Sequence, residues 1–200
     1  QVIKKYSQPR KSILIFPSDE PQEAEEDDTP DYPVNLFFTR EGYFKKITNQ
    51  SLRMSADQKL KEGDSITQSV TATNRSELLF FTDKCQVYKT TAADFDDTKA
   101  SVLGDYLPAK LGMDSGENPV FMAVTTDYQG YLLFAFENGK AAKVPLSAYA
   151  TKTRRRKLAN AYSDKARLVQ ALQLAEDCEV LFTSSDTRML IVHSGLIPAK

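Results

Sequence analysis

Short apolar runs, each followed by a polar turn and a second short strand, recur four times along the chain. The first two copies read Leu-Phe-Phe-Thr-Arg-Glu-Gly-Tyr-Phe-Lys-Lys at 36–46 and Leu-Phe-Phe-Thr-Asp-Lys-Cys-Gln-Val-Tyr-Lys at 79–89, and the others lie at 133–143 and 180–190. Phenylalanine and valine suit a pleated, buried surface, and the Asn138-Gly139 pair allows the positive φ of a tight hairpin turn. The pattern predicts four β-hairpins.

The hairpins recur at a nearly constant interval. Their turn positions, taken as Gly42, Cys85, Gly139 and Asp186, are separated by 43, 54 and 47 residues. Further strand-like segments lie between them at 65–72, 119–126 and 168–174. Four short antiparallel strands every ~40–50 residues are typical of a propeller blade. We therefore expect an all-β, propeller-like fold of four-stranded blades, with about four blade units.

One stretch of the chain fits two structures. Residues 157–174 also show the 3.6-residue period of an amphipathic helix. Because the repeat requires a strand at 168–174, we favour a loop followed by a strand.

The segment before the first hairpin has a different composition. Residues 1–16 combine a basic start with a strand-like Ser12–Phe16, and a chain that begins with Gln is expected to be a piece of a longer one. Residues 17–33 hold four prolines and eight acids, with no base between Ser18 and Asp31. Such a segment cannot bury enough apolar surface to offset its ordering entropy, which predicts a linker or loop. The blades are expected to occupy residues 34–200.

Charge is unevenly distributed along the chain. The 26 Lys and Arg against 27 Asp and Glu give a net charge of −1, but outside the acidic segment the net charge is +7. Clustered Lys and Arg are how proteins neutralise the phosphates of duplex DNA. The candidate DNA-binding residues of the densest basic run are Lys152, Arg154, Arg155, Arg156, Lys157, Lys165 and Arg167. A second group near the first hairpin comprises Lys45, Lys46, Arg53, Lys59 and Lys61.

Composition argues against catalysis and metal binding. His193 is the single histidine, and Cys85 and Cys178 are too few and too distant to build a zinc site with it. No Gly-rich phosphate loop occurs. The longest apolar run, 131–136, is far shorter than the ~18 residues of a membrane helix. We expect a cytoplasmic protein with buried, reduced cysteines, no membrane contact, and no catalytic residue, metal site or cofactor of its own.

The two best hairpin copies resemble the blade signature in the C-terminal domain of the A subunit of bacterial type IIA topoisomerases, the family that comprises the A subunit of DNA gyrase and its topoisomerase IV counterpart. The segment Ile-Lys-Lys-Tyr-Ser-Gln-Pro-Arg-Lys at 3–11 is similar to the family's junction, where the last helix of the DNA-cleavage core ends. The resemblance covers essentially the whole chain and is weakest in the acidic segment.

The resemblance implies a six-bladed β-pinwheel, a propeller variant whose rim binds and bends duplex DNA, of which this chain holds a part. The catalytic residues of the family lie in other domains. The implied parent protein is an ATP-dependent topoisomerase that uses magnesium, and the implied partners are duplex DNA, the ATPase B subunit, and the cleavage core of the same subunit. Gyrase members carry a Gln-Arg-Arg-Gly-Gly-Lys-Gly box in the first blade, which is absent from 48–61. A topoisomerase IV-like protein or a divergent gyrase paralogue therefore fits better.

Two alternatives stay open at this point. A protein-interaction propeller could use the same basic run to dock an acidic partner. The acidic segment could either be a solvated linker or lie over the basic surface and compete with phosphate, and at a Debye length of ~8 Å such competition requires near contact.

Overall fold

The computed structural model describes residues 29–54, 57–151 and 156–200. The predictions for residues 1–16, for 17–28 of the linker, and for Lys152, Arg154 and Arg155 lie outside these ranges. The strands are β1 Pro33–Thr39, β2 Tyr43–Thr48, β3 Ile66–Thr73, β4 Glu77–Thr82, β5 Val87–Thr91, β6 Asp105–Tyr106, β7 Pro119–Thr125, β8 Tyr131–Phe136, β9 Ala141–Pro145, β10 Lys157–Leu158, β11 Leu168–Leu174, β12 Glu179–Thr183 and β13 Met189–His193. Two short helices, α1 Asn49–Met54 and α2 Leu107–Lys110, and three 3₁₀ turns, Ala92–Asp94, Leu146–Tyr149 and Ser194–Leu196, accompany them. Within the described ranges, no helix has the length and apolar character needed to cross a membrane.

The four predicted hairpins are present as β1–β2, β4–β5, β8–β9 and β12–β13. In each turn one residue adopts positive φ and donates its backbone N–H to the carbonyl three residues earlier. These residues are Gly42, Cys85, Gly139 and Thr187, with φ of 82°, 56°, 74° and 65°. The predicted turn position in the fourth hairpin, Asp186, was therefore wrong by one residue.

The hairpins belong to separate antiparallel sheets, and the chain interlocks neighbouring sheets. The first sheet has the order β3-β1-β2-β6 and the second β10-β5-β4-β7. Although β6 follows the second hairpin in the chain, it pairs with β2 through Tyr43 and Tyr106. In the same way, β10 follows the third hairpin but pairs with β5. The first and second sheets are thus each completed by a two-residue strand that follows the next hairpin in the chain.

The predicted all-β fold of four-stranded blades is confirmed. Within the described residues the third sheet has three strands, β11-β8-β9, and the fourth has two, β12-β13. At 157–174, where the pattern also fitted a helix, the chain forms β10, a loop and β11. The strand was therefore the correct choice: β11 pairs with β8 from Leu168 to Leu174, with a register shift between Leu168 and Gln170.

The core lies between consecutive sheets. On β4, Leu78 and Phe80 face the first sheet, and Leu79 and Phe81 face the third. Phe80 packs edge-on against Phe44 at 5.5 Å between ring centroids, at an interplanar angle of 82°. Because both faces of the strand are covered, its sequence is continuously apolar rather than alternating. The phenylalanine-rich runs are therefore core residues.

Glutamine side chains cap the free edge of the second sheet. The Gln68 amide of β3 exchanges two hydrogen bonds with the backbone of Met122 in β7, at 2.8 and 2.7 Å. The Gln173 amide of β11 forms the same pair with Val124, at 2.7 and 3.0 Å. Each amide takes the place of a further strand's backbone, so that the N–H and carbonyl groups at the edge of β7 have hydrogen-bond partners.

Candidate nucleic-acid interface

The basic residues concentrate in one of three equivalent connections. Each connection runs from the second strand of a hairpin to the outer strand of the same sheet: the first spans 49–65, the second 92–118 and the third 146–167. The first carries three bases and three acids, and the second carries two bases and six acids. The third carries seven bases and one acid, Asp164. Strong positive charge therefore belongs to the third connection rather than to the fold in general.

Lys89 of β5 holds the arginine-rich part of the third connection from both sides. Its ammonium group donates to the Tyr149 carbonyl at 3.0 Å and to Thr151 Oγ1 at 3.1 Å, just before residues 152–155. Its backbone N–H donates to the Arg156 carbonyl at 2.7 Å, just after them. Lys89 thus contacts the third connection on both sides of residues 152–155.

The described members of the basic run are all exposed. Arg156 directly precedes β10, Lys157 is its first residue, and Lys165 and Arg167 lie just before β11. Lys157 is engaged already, since its Nζ lies 2.8 Å from Asp114 Oδ2 and 5.3 Å from the centre of the Tyr88 ring. Hydrogen bonds to Asp114 and Tyr88 raise the pKa of Lys157, which keeps it charged.

The candidates near the first hairpin fall into two kinds. Arg53 at the end of α1 is exposed, and so are Lys59 and Lys61 in the loop beyond it. Lys45 and Lys46, in contrast, are only 1% and 3% exposed. Both ammonium groups point into the protein, where neither can reach a phosphate, and we leave these two lysines out of the candidate interface.

The Lys45 ammonium group is enclosed by the first and second connections. It donates to the Lys59 carbonyl at 2.6 Å and to the Ala100 carbonyl at 3.2 Å. Desolvation lowers its pKa. Lysines are almost never buried without such partners, and this burial depends on a segment more than fifty residues further along the chain.

Lys46 belongs to a repeated structural set that the sequence pattern did not reveal as such. Lys46, Lys89 and Lys143 occupy the same register position, opposite Leu36, Leu79 and Leu133. Lys46 Nζ lies 3.1 Å from Asp97 and 2.8 Å from Asn74 Oδ1, and Lys143 pairs with Asp177. The signal that could have found the set is the lysine ending each of the first three hairpin copies.

The fourth hairpin breaks this repeat. Ile191 stands opposite Leu181 at the position of the lysines and is 64% exposed. Leu181 and Met189 on the same face are also exposed. The residues equivalent to Leu181 in the other three hairpins, Leu36, Leu79 and Leu133, are at most 2% exposed.

A residue outside the predicted set lies beside Arg156. Lys110, at the end of α2, lines the same surface cleft as Arg156, although 46 positions separate them in the sequence. Because β6 pairs with β2, the helix α2 that follows β6 lies near the junction of the first two sheets. No local sequence signal predicts this proximity.

Cys85, Cys178 and His193 differ in their surroundings. Cys85 is half-buried and burial raises its pKa, while Cys178 is exposed, so the expectation that both thiols are buried was wrong for Cys178. His193 Nδ1 accepts a hydrogen bond from the Gly195 backbone at 3.2 Å. Among the described residues, no group of three or more His, Cys, Asp or Glu side chains could hold a metal ion.

Solved structures share this architecture. The chain is similar to the C-terminal domain of DNA topoisomerase IV, with a TM-score of 0.72, 20% identity, and coverage of 86% of this chain and 55% of that one. It is also similar to the E. coli ParC C-terminal domain, with a TM-score of 0.63, 18% identity, and coverage of 84% and 67%. The DNA gyrase A C-terminal domain gives a TM-score of 0.55 at 15% identity over 84% and 57%. The chain therefore has the β-pinwheel fold of these domains.

Curated relatives point to the same proteins. The chain is 28% identical over 160 residues to the A subunit of DNA gyrase from Streptomyces coelicolor, covering 74% of this chain and 18% of the relative. It is 27% identical over 158 residues to the A subunit of DNA gyrase from Mycoplasma pneumoniae, covering 75% and 19%. The chain thus spans about a fifth of the length of these relatives. No protein-family model matches it. The resemblance to type IIA topoisomerase A subunits is confirmed.

Proposed function

We propose that this chain is a non-catalytic, duplex-DNA-binding domain of a type IIA topoisomerase A subunit. The observation that carries the proposal is the third connection of this β-pinwheel, which has seven bases against one acid in its sequence and whose described bases are all exposed. Lys89 contacts the residues that flank the arginine-rich segment, Tyr149 before it and Arg156 at its end, which supports a role for the third connection.

The proposed binding is independent of DNA sequence. Lysine and arginine side chains neutralise phosphates and release condensed counterions, which makes the affinity strongly salt-dependent. The exposed bases would hold the duplex against the rim of the pinwheel and bend it. Smooth bending of 20–30 base pairs costs about 1–6 kcal/mol, so several phosphate contacts have to offset it.

The same resemblance is the basis for proposing the kind of enzyme to which this domain belongs. We propose that the domain acts beside the DNA-cleavage core of its own subunit, in a cytoplasmic, ATP-dependent enzyme whose B subunit binds ATP and whose magnesium lies in other domains. The first connection folds as α1 and a loop and lacks the glycine-containing box of gyrases. We therefore favour a topoisomerase IV-like protein or a divergent gyrase paralogue.

Salt-dependent binding to random-sequence duplex DNA tests the proposal. Fluorescence anisotropy gives the dissociation constant across a salt series for the wild-type chain and for a triple variant, Arg154→Gln, Arg155→Gln and Arg156→Gln. If these three arginines neutralise three phosphates, the slope of log K against log salt becomes shallower by about 2.7. The matched control replaces Lys84, Lys140 and Arg188, all exposed in hairpin turns, with Gln.

The result separates DNA binding from the rival function. A wild-type chain without measurable affinity at ~0.1 M salt would refute DNA binding and favour the docking of an acidic protein partner. An equal change of slope in the control triple variant would show that the third connection is not the binding surface.

A further inference from the structure

A surface cleft lies where the second and third connections meet the second sheet. Its volume is about 210 Å³, which leaves room for a phosphate group and several waters. The lining residues come from β5, the first 3₁₀ turn, the end of α2 and the start of β10: Tyr88, Lys89, Thr90, Asp94, Phe95, Lys110, Leu111 and Arg156. The cleft thus gathers residues from four segments of the chain.

Two cations at this cleft are accessible. The Lys110 side chain is 38% exposed, and its ammonium group lies 5.7 Å from the centre of the Phe95 ring and 3.8 Å from Asp105. Its ion pair with Asp105 is long and partly solvated, so it is weak. Arg156 is exposed and forms no ion pair with another described residue. Both charges can therefore accept an external anion.

Burial would raise the pKa of Asp94, the acidic residue of the lining, but hydrogen bonds from Thr91 and Thr90 and the charge of Arg156 lower it. Asp94 accepts hydrogen bonds from the Thr90 hydroxyl at 2.7 Å and from the Thr91 backbone N–H at 2.9 Å. These bonds close the 3₁₀ turn and occupy one carboxylate oxygen. The Lys89 ammonium group is engaged by the Tyr149 carbonyl and Thr151 Oγ1, and Lys110 and Arg156 against Asp94 leave the lining with a net positive charge.

The base of the cleft is rigid. Arg156 is held through its carbonyl by the Lys89 N–H at 2.7 Å, and the next residue is paired in register with Tyr88. The Tyr88 ring and Phe95 are almost completely buried. The backbone of Arg156 is therefore held in place, and its planar guanidinium group offers paired donors that match a phosphate.

We propose that this cleft binds a single backbone phosphate of duplex DNA, with Lys110 and Arg156 as its two ligands. The inference rests on the proposed function and assigns one position of the contact. Arg156 would supply paired N–H donors to two phosphate oxygens, and Lys110 would supply a point charge from the end of α2. The contact would anchor the duplex next to the arginine-rich segment.

A salt titration with four variants tests this assignment in the full-length chain. The variants are Lys110→Ala, Arg156→Ala, the double variant, and Lys140→Ala as an exposed control from a hairpin turn, each measured with random-sequence duplex DNA. Because both cations share one phosphate, the double variant should make the slope of log K against log salt shallower by about 0.9, whereas two separate contacts would change it by ~1.8. At ~0.1 M salt we expect the double variant to lose about tenfold in affinity.

The outcomes distinguish this inference from the function on which it rests. Absence of DNA binding by the wild-type chain overturns the proposed function. Binding by the wild type with an unchanged double variant overturns the cleft assignment alone. A slope change near 1.8, or a loss in Lys140→Ala equal to that in Arg156→Ala, also overturns it, because either result indicates diffuse attraction rather than one shared phosphate.

Discussion

Removal of Asp97 should destabilise the protein more than removal of its partner Lys46. Lys46 reaches from β2 across the first sheet, and its ammonium group contacts Asp97 at 3.1 Å and Asn74 Oδ1 at 2.8 Å. The two members of the pair differ in exposure, since the lysine side chain is 3% exposed and that of Asp97 is 39% exposed. The two substitutions therefore leave unequal charges behind.

This difference in exposure determines how much each substitution lowers the free energy of unfolding. Asp97→Ala leaves a buried ammonium group with one acceptor, and breaking a buried ion pair in this way costs about 3 kcal/mol. It also removes the acceptor of the Tyr32 hydroxyl at 2.9 Å. Lys46→Met leaves a carboxylate that water can reach, and its apolar chain fills the vacated volume, so we expect a loss of about 1 kcal/mol.

Urea unfolding of both single variants and of the double variant measures these differences. Once Lys46 is methionine, Asp97→Ala should cost little more, which gives a coupling energy of about 2 kcal/mol in the double-mutant cycle. The Lys61–Glu41 pair, at 3.9 Å and with both side chains well exposed, is the matched control and should show a coupling of at most ~1 kcal/mol.

Equal losses in the two single variants, or a greater loss in Lys46→Met, would refute this reasoning. Either result would mean that the ammonium group reaches water when Asp97 is absent. The burial of Lys46 would then not govern the free energy of unfolding.

Two further predictions concern the sheet edge and the buried tyrosines. Gln68→Ala should lower the free energy of unfolding by about 1–3 kcal/mol, because it removes the hydrogen-bond partners of the Met122 backbone. The control Gln170→Ala, at an exposed position, should change it little. Equal values for the two variants in urea unfolding would contradict the capping role of Gln68. Burial raises the pKa of Tyr149 and of Tyr162 above the ordinary value of 10.0, so the unfolded chain loses these protons first. Stability that is fully present below pH 10 should fall as the pH rises beyond it, and Tyr162→Phe should reduce the slope in urea unfolding measured from pH ~9 to pH ~12.

The hairpins could be predicted because their signals are local. An apolar run, a turn residue and a second run all lie within eleven positions of the sequence, as at 36–46. The turn chemistry was predictable where Gly42 and Gly139 supply positive φ. The turn was harder to predict at Thr187, because a β-branched residue rarely adopts the positive φ seen there. A hydrogen bond from its backbone N–H to the Ser184 carbonyl holds this conformation.

The interlocking of the sheets could not be predicted in the same way. The swapped strands β6 and β10 are two residues long, too short to carry any period. Their placement depends on pairing with strands far away in the chain, as Tyr106 with Tyr43. The capping of β7 by Gln68 also joins residues 54 positions apart.

The sequence by itself determined the all-β repeat, the hairpin positions and the concentration of positive charge between residues 152 and 167, because these depend on residue type and spacing along the chain. Tertiary structure alone decided which charges are accessible. It buried Lys45 and Lys46 under segments from later in the chain and brought Lys110 to the same cleft as Arg156. The physical reason is that burial and proximity arise from contacts between distant segments, which the order of residues does not reveal.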